Sequence, residues 1–170
     1  MGVAKQAAYP YRLNLARRIR RTGLHNAVAA TKTDMKALLD LRVYYEDTDF
    51  SGRVYHASYL RFLERGRTEW LRSLGFDHRS LYQGTGLIFA VRQLSIDFLA
   101  PALMDDVLRI ETDLSRTQGA LIDFSQKILR GGDEIAQAAV RVASLKNGRA
   151  VRVPREMLGS IERSTVNRDA

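Results

Sequence analysis

Between residues 46 and 59 the chain reads EDTDFSGRVYHASY, three carboxylates, a glycine, a histidine and two tyrosines within fourteen positions. The periodic stretch that follows predicts a helix from about residue 57. The first backbone amides of a helix have no carbonyl partner inside it and carry its positive partial charge. An oxyanion or a polarised carbonyl is stabilised at such a place. Asp49 lies eight positions before Ala57 on the connection leading there. A carboxylate beside those donors can attack an acyl carbon or take a proton from water. Gly52 permits a tight turn and close approach of a substrate to the backbone. The commoner use of aspartate in such a turn is to accept backbone hydrogen bonds, and the residues alone leave Asp47 and Asp49 open to either role. His56 taken by itself is more often structural than a base. His25 and His78 stand alone, so no metal site is expected.

The elements that must position this corner follow from periodicity. A first strand is expected over residues 41–45. Over residues 57–74, Tyr59, Phe62, Leu63, Gly66, Trp70 and Leu74 recur at steps of three and four, the spacing of one buried helix face. Gly75 stands where a left-handed stop belongs. Gly66 inside the helix costs about 1 kcal/mol relative to alanine, which points to close backbone approach against a sheet. A short helical piece is expected over 77–83, then strands over 87–98, 106–116, 120–130 and 135–146. Gly131-Gly132-Asp133 and Asn147-Gly148 are turn signals between them. A last helix is expected after Pro154. One strand, a long helix and a run of antiparallel strands make an α+β domain, a helix wrapped by a meandering sheet.

The chain has 170 residues, 45% of them hydrophobic, enough for one domain with a substantial core. Cysteine is absent, which excludes disulfides and thiolate chemistry. No apolar run approaches the roughly 18 residues of a membrane span, and no secretory segment is recognisable, so the expected setting is the cytoplasm. The formal charge of +8 is unevenly placed. Seven basic residues and no acid precede Asp34, whereas the remaining 20 basic residues face 19 acids. Basicity thus belongs to an extension over residues 1–36, ahead of a domain expected over 37–160 and a tail over 161–170. Nucleic-acid binding by the domain is not expected. In the extension, YRLNLARRIRRTGL reads as a loose tail or as a short basic amphipathic helix suited to a membrane surface, with Met35 as an alternative start of translation.

The segment YYEDTDFSGRVYHASYLRFLERGRTEWL, with its motif D-x-D-x-x-G-x-V-Y-H-x-x-Y, closely resembles the hot-dog-fold acyl-CoA thioesterases of the 4-hydroxybenzoyl-CoA thioesterase group. It looks most like their Tol–Pal-associated bacterial members. The resemblance runs from about residue 41 to 155 and takes in DFLAPALMDDVLRIETDL. It implies a hot-dog fold of a long central helix and about five antiparallel strands, hydrolysis of acyl-CoA, and no cofactor. It also implies a homodimer or homotetramer with edge-to-edge sheets, and peripheral association with the Tol–Pal envelope system. Carried over by position, Asp49 matches the catalytic carboxylate and the His56 amide the group that polarises the thioester. Gly52 matches the turn glycine, Tyr55 the aromatic beside it, and Asp47 a structural neighbour. Phe50 replaces a small residue or proline and is expected to narrow the mouth of the site.

Glu64 is the rival carboxylate, since some relatives of the fold place a glutamate on the central helix; its plain reading is a partner for Arg61, Arg65 or Arg67. The resemblance places the nucleotide of coenzyme A near the loop between the third and fourth strands, here residues 115–119 (SRTQG), with Arg116 as the phosphate contact. Tyr59, Phe62 and Leu63 are candidates for the acyl pocket. Three other readings stand beside hydrolysis. A hydratase on this fold needs a differently spaced histidine and acid that are not found here. An acyl-CoA-sensing DNA-binding regulator needs more than the roughly 34 residues of the extension. A scaffold subunit at the envelope would use the extension for contacts.

Overall fold

The computed structural model describes residues 36–166. The expectations for the basic extension before residue 36, and for residues 167–170, lie outside the described residues. Six strands and three α-helices follow one another as β1 (Lys36–Arg42), α1 (His56–Ser73), α2 (His78–Thr85), β2 (Leu87–Phe98), β3 (Val107–Gln118), β4 (Leu121–Arg130), β5 (Asp133–Lys146), β6 (Arg149–Ala150) and α3 (Arg155–Val166), with a single 3-10 turn at Tyr45–Asp47 after β1. All pairings are antiparallel, in the order β1-β3-β4-β5-β2, and β6 adds a short pair to β5. β2 therefore lies at one edge of the sheet.

Alternation explains which face of the sheet is covered. Leu108, Ile110, Thr112 and Leu114 of β3, Ile122, Phe124, Gln126 and Ile128 of β4, and Ala138, Val140, Val142 and Ser144 of β5 are buried. α1 lays Tyr59, Phe62, Leu63, Gly66 and Trp70 on that face. The Trp70 and Phe124 rings meet edge to face at 4.9 Å between centroids. Truncating a fully buried Phe62 or Trp70 to alanine costs about 3–5 kcal/mol.

Gly66 makes the close approach possible. A Cβ at this position would stand 2.7 Å from Thr112 Oγ1 and 2.8 Å from Ile110 Cγ2. In the space left free, Gln126 Nε2 donates to the Leu63 carbonyl at 2.9 Å and to Thr112 Oγ1 at 2.8 Å, while its Oε1 accepts from Arg67 Nη1 at 2.8 Å. Helix and sheet are thus joined by a buried amide whose oxygen and nitrogen are both engaged.

Three boundaries differ from the sequence expectation. β1 lies at Lys36–Arg42; Val43 still bonds to the backbone of Asp105 and Asp106, and residues 44–45 leave the sheet edge for the 3-10 turn. The cause is Asp47, 2% exposed, whose Oδ2 accepts the Tyr44 amide at 3.0 Å and so bends the chain back on itself. The third strand ends at Gln118, so residues 115–118 of the expected loop are strand, separated from the preceding run by a register shift between Leu114 and Arg116. Residue 161, where a tail was expected to begin, falls inside α3, and Ile161 is buried in the core.

Candidate active site

Residues 47–55 form a small hairpin that delivers the chain into α1. Its rungs are the Tyr55 amide on the Asp47 carbonyl at 2.8 Å, the Thr48–Val54 bridge, and the Asp49 amide on the Arg53 carbonyl at 2.8 Å. The Gly52 amide closes the tip onto the Asp49 carbonyl at 2.9 Å, with Gly52 at φ +74°, where a side chain would be strained. Asp49 therefore sits two rungs, roughly 7 Å of strand, from the residue that precedes the helix.

That helix start is electrostatically uncompensated. Tyr55 is its N-cap and makes no side-chain cap bond, and the first turn holds no acid. Its positive end thus carries neither a capping side chain nor an acid of its own first turn. At the exposed tip, Oδ1 of Asp49 accepts both the Ser51 amide at 2.8 Å and the Ser51 hydroxyl at 2.6 Å. These two bonds, the hydroxyl's first, hold the Asp49 pKa below the ordinary aspartate value, so the group is anionic at neutral pH.

The structure brings Asp49, Gly52, Tyr55 and His56 to this one corner and places the other candidates elsewhere. Asp47 is a buried turn-former, with Arg61 Nη2 3.8 Å from its Oδ1. Tyr59 is 3% exposed, and its hydroxyl accepts the Ala102 amide at 2.9 Å; this is a core position, not a pocket wall. Phe62 and Leu63 are fully buried. Phe50 is wholly exposed at the hairpin tip and narrows no cleft within one chain. Arg116 is exposed and lies in β3, not in a loop.

Glu64 lies about 12 Å along α1 from His56. It makes no ion pair with Arg61, Arg65 or Arg67; Thr68 Oγ1 donates to its Oε1 at 2.7 Å instead, and Thr68 Oγ1 also lies 3.3 Å from His78 Nε2. These three side chains, with Arg67, Trp70 and Phe124, line a cleft of about 100 Å3. Burial pushes the Arg67 guanidinium pKa down, and the nearby Glu64 partly offsets this. Sequence reasoning overlooked Ser51 and Thr68. Ser51 had a readable signal, an Asp-x-Ser turn. Among the described residues no group of three or more histidine, cysteine, aspartate or glutamate side chains could hold a metal ion.

The thioesterase-like superfamily model matches residues 43–161. The acyl-CoA thioesterase YbgC of Haemophilus influenzae is 44% identical over 119 residues, covering 69% of this chain and 88% of that protein. The acyl-CoA thioester hydrolase YbgC of Escherichia coli is 41% identical, covering 58% and 73%. A probable thioesterase from Bartonella henselae, known from its crystal structure, superposes with a TM-score of 0.68 at 44% identity over 70% of this chain and 99% of that one. With its long helix held by a curled antiparallel sheet, the chain belongs to the thioesterase-like superfamily of hot-dog proteins.

Proposed function

We propose that the chain hydrolyses the thioester of an acyl-CoA to the free acid and coenzyme A. The observation that carries this reading is the hairpin that holds an anionic Asp49 two rungs from an uncapped helix start. The names of the YbgC relatives supply the substrate class. In the reaction the thioester oxygen accepts the His56 amide hydrogen bond, which stabilises negative charge as it develops there. In one route the Asp49 carboxylate attacks the acyl carbon and expels the thiolate, and water then cleaves the mixed anhydride. In the other, Asp49 takes a proton from the water that attacks. Either route yields the acid and the thiol. Gly52 keeps the approach open, and Tyr55 presents its half-exposed ring beside it.

Coenzyme A also presents phosphates, and we assign one contact to Arg116. It lies near the β3–β4 turn, which is tied to the segment after β6 by the Val153 amide on the Gly119 carbonyl at 3.0 Å, and Arg149 is on that same end of the sheet. We further propose a homodimer, doubled to a tetramer, joined through the β2 edge. Ile88, Val91 and Phe98 on this strand are 44–52% exposed, more apolar surface than an unpaired edge carries without risk of aggregation. To the basic extension we assign peripheral contact with the envelope from the cytoplasmic side.

The test is thiol release by the full chain from short, long and aromatic acyl-CoAs. Turnover of at least one class is expected. Binding without turnover of any would replace the enzyme with an acyl-CoA-binding regulator or scaffold on the same fold.

A further inference from the structure

The connection between β2 and β3, residues 99–106, carries the Asp49 hairpin. Ala102 is fully buried. Its amide donates to the Tyr59 hydroxyl at 2.9 Å, and its carbonyl accepts the Val54 amide at 2.9 Å. Next to it, Leu103 forms an antiparallel bridge with Arg53, whose carbonyl takes the Asp49 amide. A continuous path therefore leads from Tyr59 through Ala102, Val54 and Arg53 to Asp49.

Tyr59 stands three residues after His56 on one rigid helix, about 4.5 Å along its axis. Its ring is seated edge-on against Phe98 at 5.2 Å and beside Phe62 at 6.1 Å. From the sheet side Arg130 Nη1 donates to the Pro101 carbonyl and to Asp106 Oδ2, both at 3.0 Å, and Asp106 Oδ2 also accepts the Leu103 amide at 2.8 Å. The rung at Tyr55 fixes the register of the hairpin on the helix. The tilt of the hairpin is held from the side by the Val54 amide on the Ala102 carbonyl and by the adjoining Leu103–Arg53 bridge.

We propose that the Tyr59 hydroxyl is a positioning group for the reaction, setting the separation between the Asp49 carboxylate and the amide at the start of α1. The inference rests on the hydrolytic reading given above. Without the hydroxyl the Ala102 amide loses its buried partner, the connection shifts, and the hairpin tilts with it. Displacement of a reacting group by about 1 Å can cost up to roughly a hundredfold in rate. The substrate's binding surface is untouched, so the loss falls on kcat.

The experiment compares kcat and KM of the full chain, Tyr59→Phe, Asp49→Asn and the double variant, with an acyl-CoA that the wild type hydrolyses. Tyr59→Phe keeps the ring and its packing, and a thermal melt verifies its fold. It should lower kcat about tenfold, leave KM within about twofold, and add less than about twofold to the Asp49→Asn loss, because nothing is left to position. A kcat within threefold of wild type, a loss carried by KM, or a loss that multiplies in full with Asp49→Asn overturns the proposal. Asp49→Asn at the wild-type rate overturns the reading of Asp49 and the role of Tyr59 with it, whereas an inactive Asp49→Asn beside a fully active Tyr59→Phe overturns Tyr59 alone. If Tyr59→Phe does not fold, Arg130→Gln frees the same connection from a half-exposed position. It should lower kcat about threefold, again sub-additively with Asp49→Asn, and an unchanged kcat counts against the proposal.

Discussion

The Ser51 hydroxyl donates to Oδ1 of Asp49 at 2.6 Å, and the Ser51 amide donates to the same oxygen at 2.8 Å. The pair favours the ionised carboxylate, so the folded-state pKa lies below that of the unfolded chain. Asp49 therefore keeps its charge to lower pH than an ordinary aspartate, and that charge is lost as pH falls through the depressed pKa. Ser51→Ala removes the largest cause of the depression and should move the acid limb of kcat/KM upward, toward the ordinary value. A pH–rate profile unchanged in Ser51→Ala would show that Asp49 does not set that limb.

Gly66→Ala should destabilise the fold by about 1–3 kcal/mol, the range for overpacking a well-filled core. The new methyl would stand 2.7 Å from Thr112 Oγ1 and 3.1 Å from Gln126 Nε2, so α1 must lift from the sheet or the Gln126 bonds must break. Chemical denaturation of the two proteins measures the difference. A variant as stable as wild type would mean that the helix is not held this close.

Much of this framework is legible in the sequence. The run from Tyr59 to Leu74 shows the buried stripe of α1, Gly66 shows the close approach, and Asn147-Gly148 shows the β5–β6 turn, where both residues have positive φ. What is not legible depends on partners far along the chain. Tyr59 has the spacing of any core or pocket residue, and only the fold brings the Ala102 amide, 43 positions away, to its hydroxyl. Asp47 and Asp49 are alike as sequence. One is buried and bends the chain through the Tyr44 amide, whereas the other stands exposed at a hairpin tip. Thr68 reaches Glu64 one turn away on α1, a local spacing, but it meets His78 only because α2 folds back toward α1, which no local pattern announces.

Glu64→Gln should keep kcat within about fivefold of wild type. The side chain is engaged by Thr68 and lies about 12 Å along the helix from the proposed oxyanion donor. Steady-state kinetics beside Asp49→Asn in one assay decides between the carboxylates. A loss in Glu64→Gln as large as that in Asp49→Asn would bring the helix glutamate into the chemistry.

Arg116→Ala should raise KM for acyl-CoA about three- to tenfold and leave kcat unchanged, since an exposed arginine on a ligand phosphate acts on binding and not on the acyl carbon. The difference should shrink as salt rises, because screening weakens exposed charge pairs. An unchanged KM at low salt would remove Arg116 from the nucleotide contact.

The central claim is that the carboxylate at position 49 acts on a carbonyl polarised by the start of α1. Asp49→Asn keeps the shape of the side chain and removes its charge, so its kcat with a substrate that the wild type hydrolyses tests the claim most directly. A fall of at least about a hundredfold is predicted, the scale of lost general-base or nucleophilic participation. Turnover near the wild-type rate in a folded Asp49→Asn protein would contradict it.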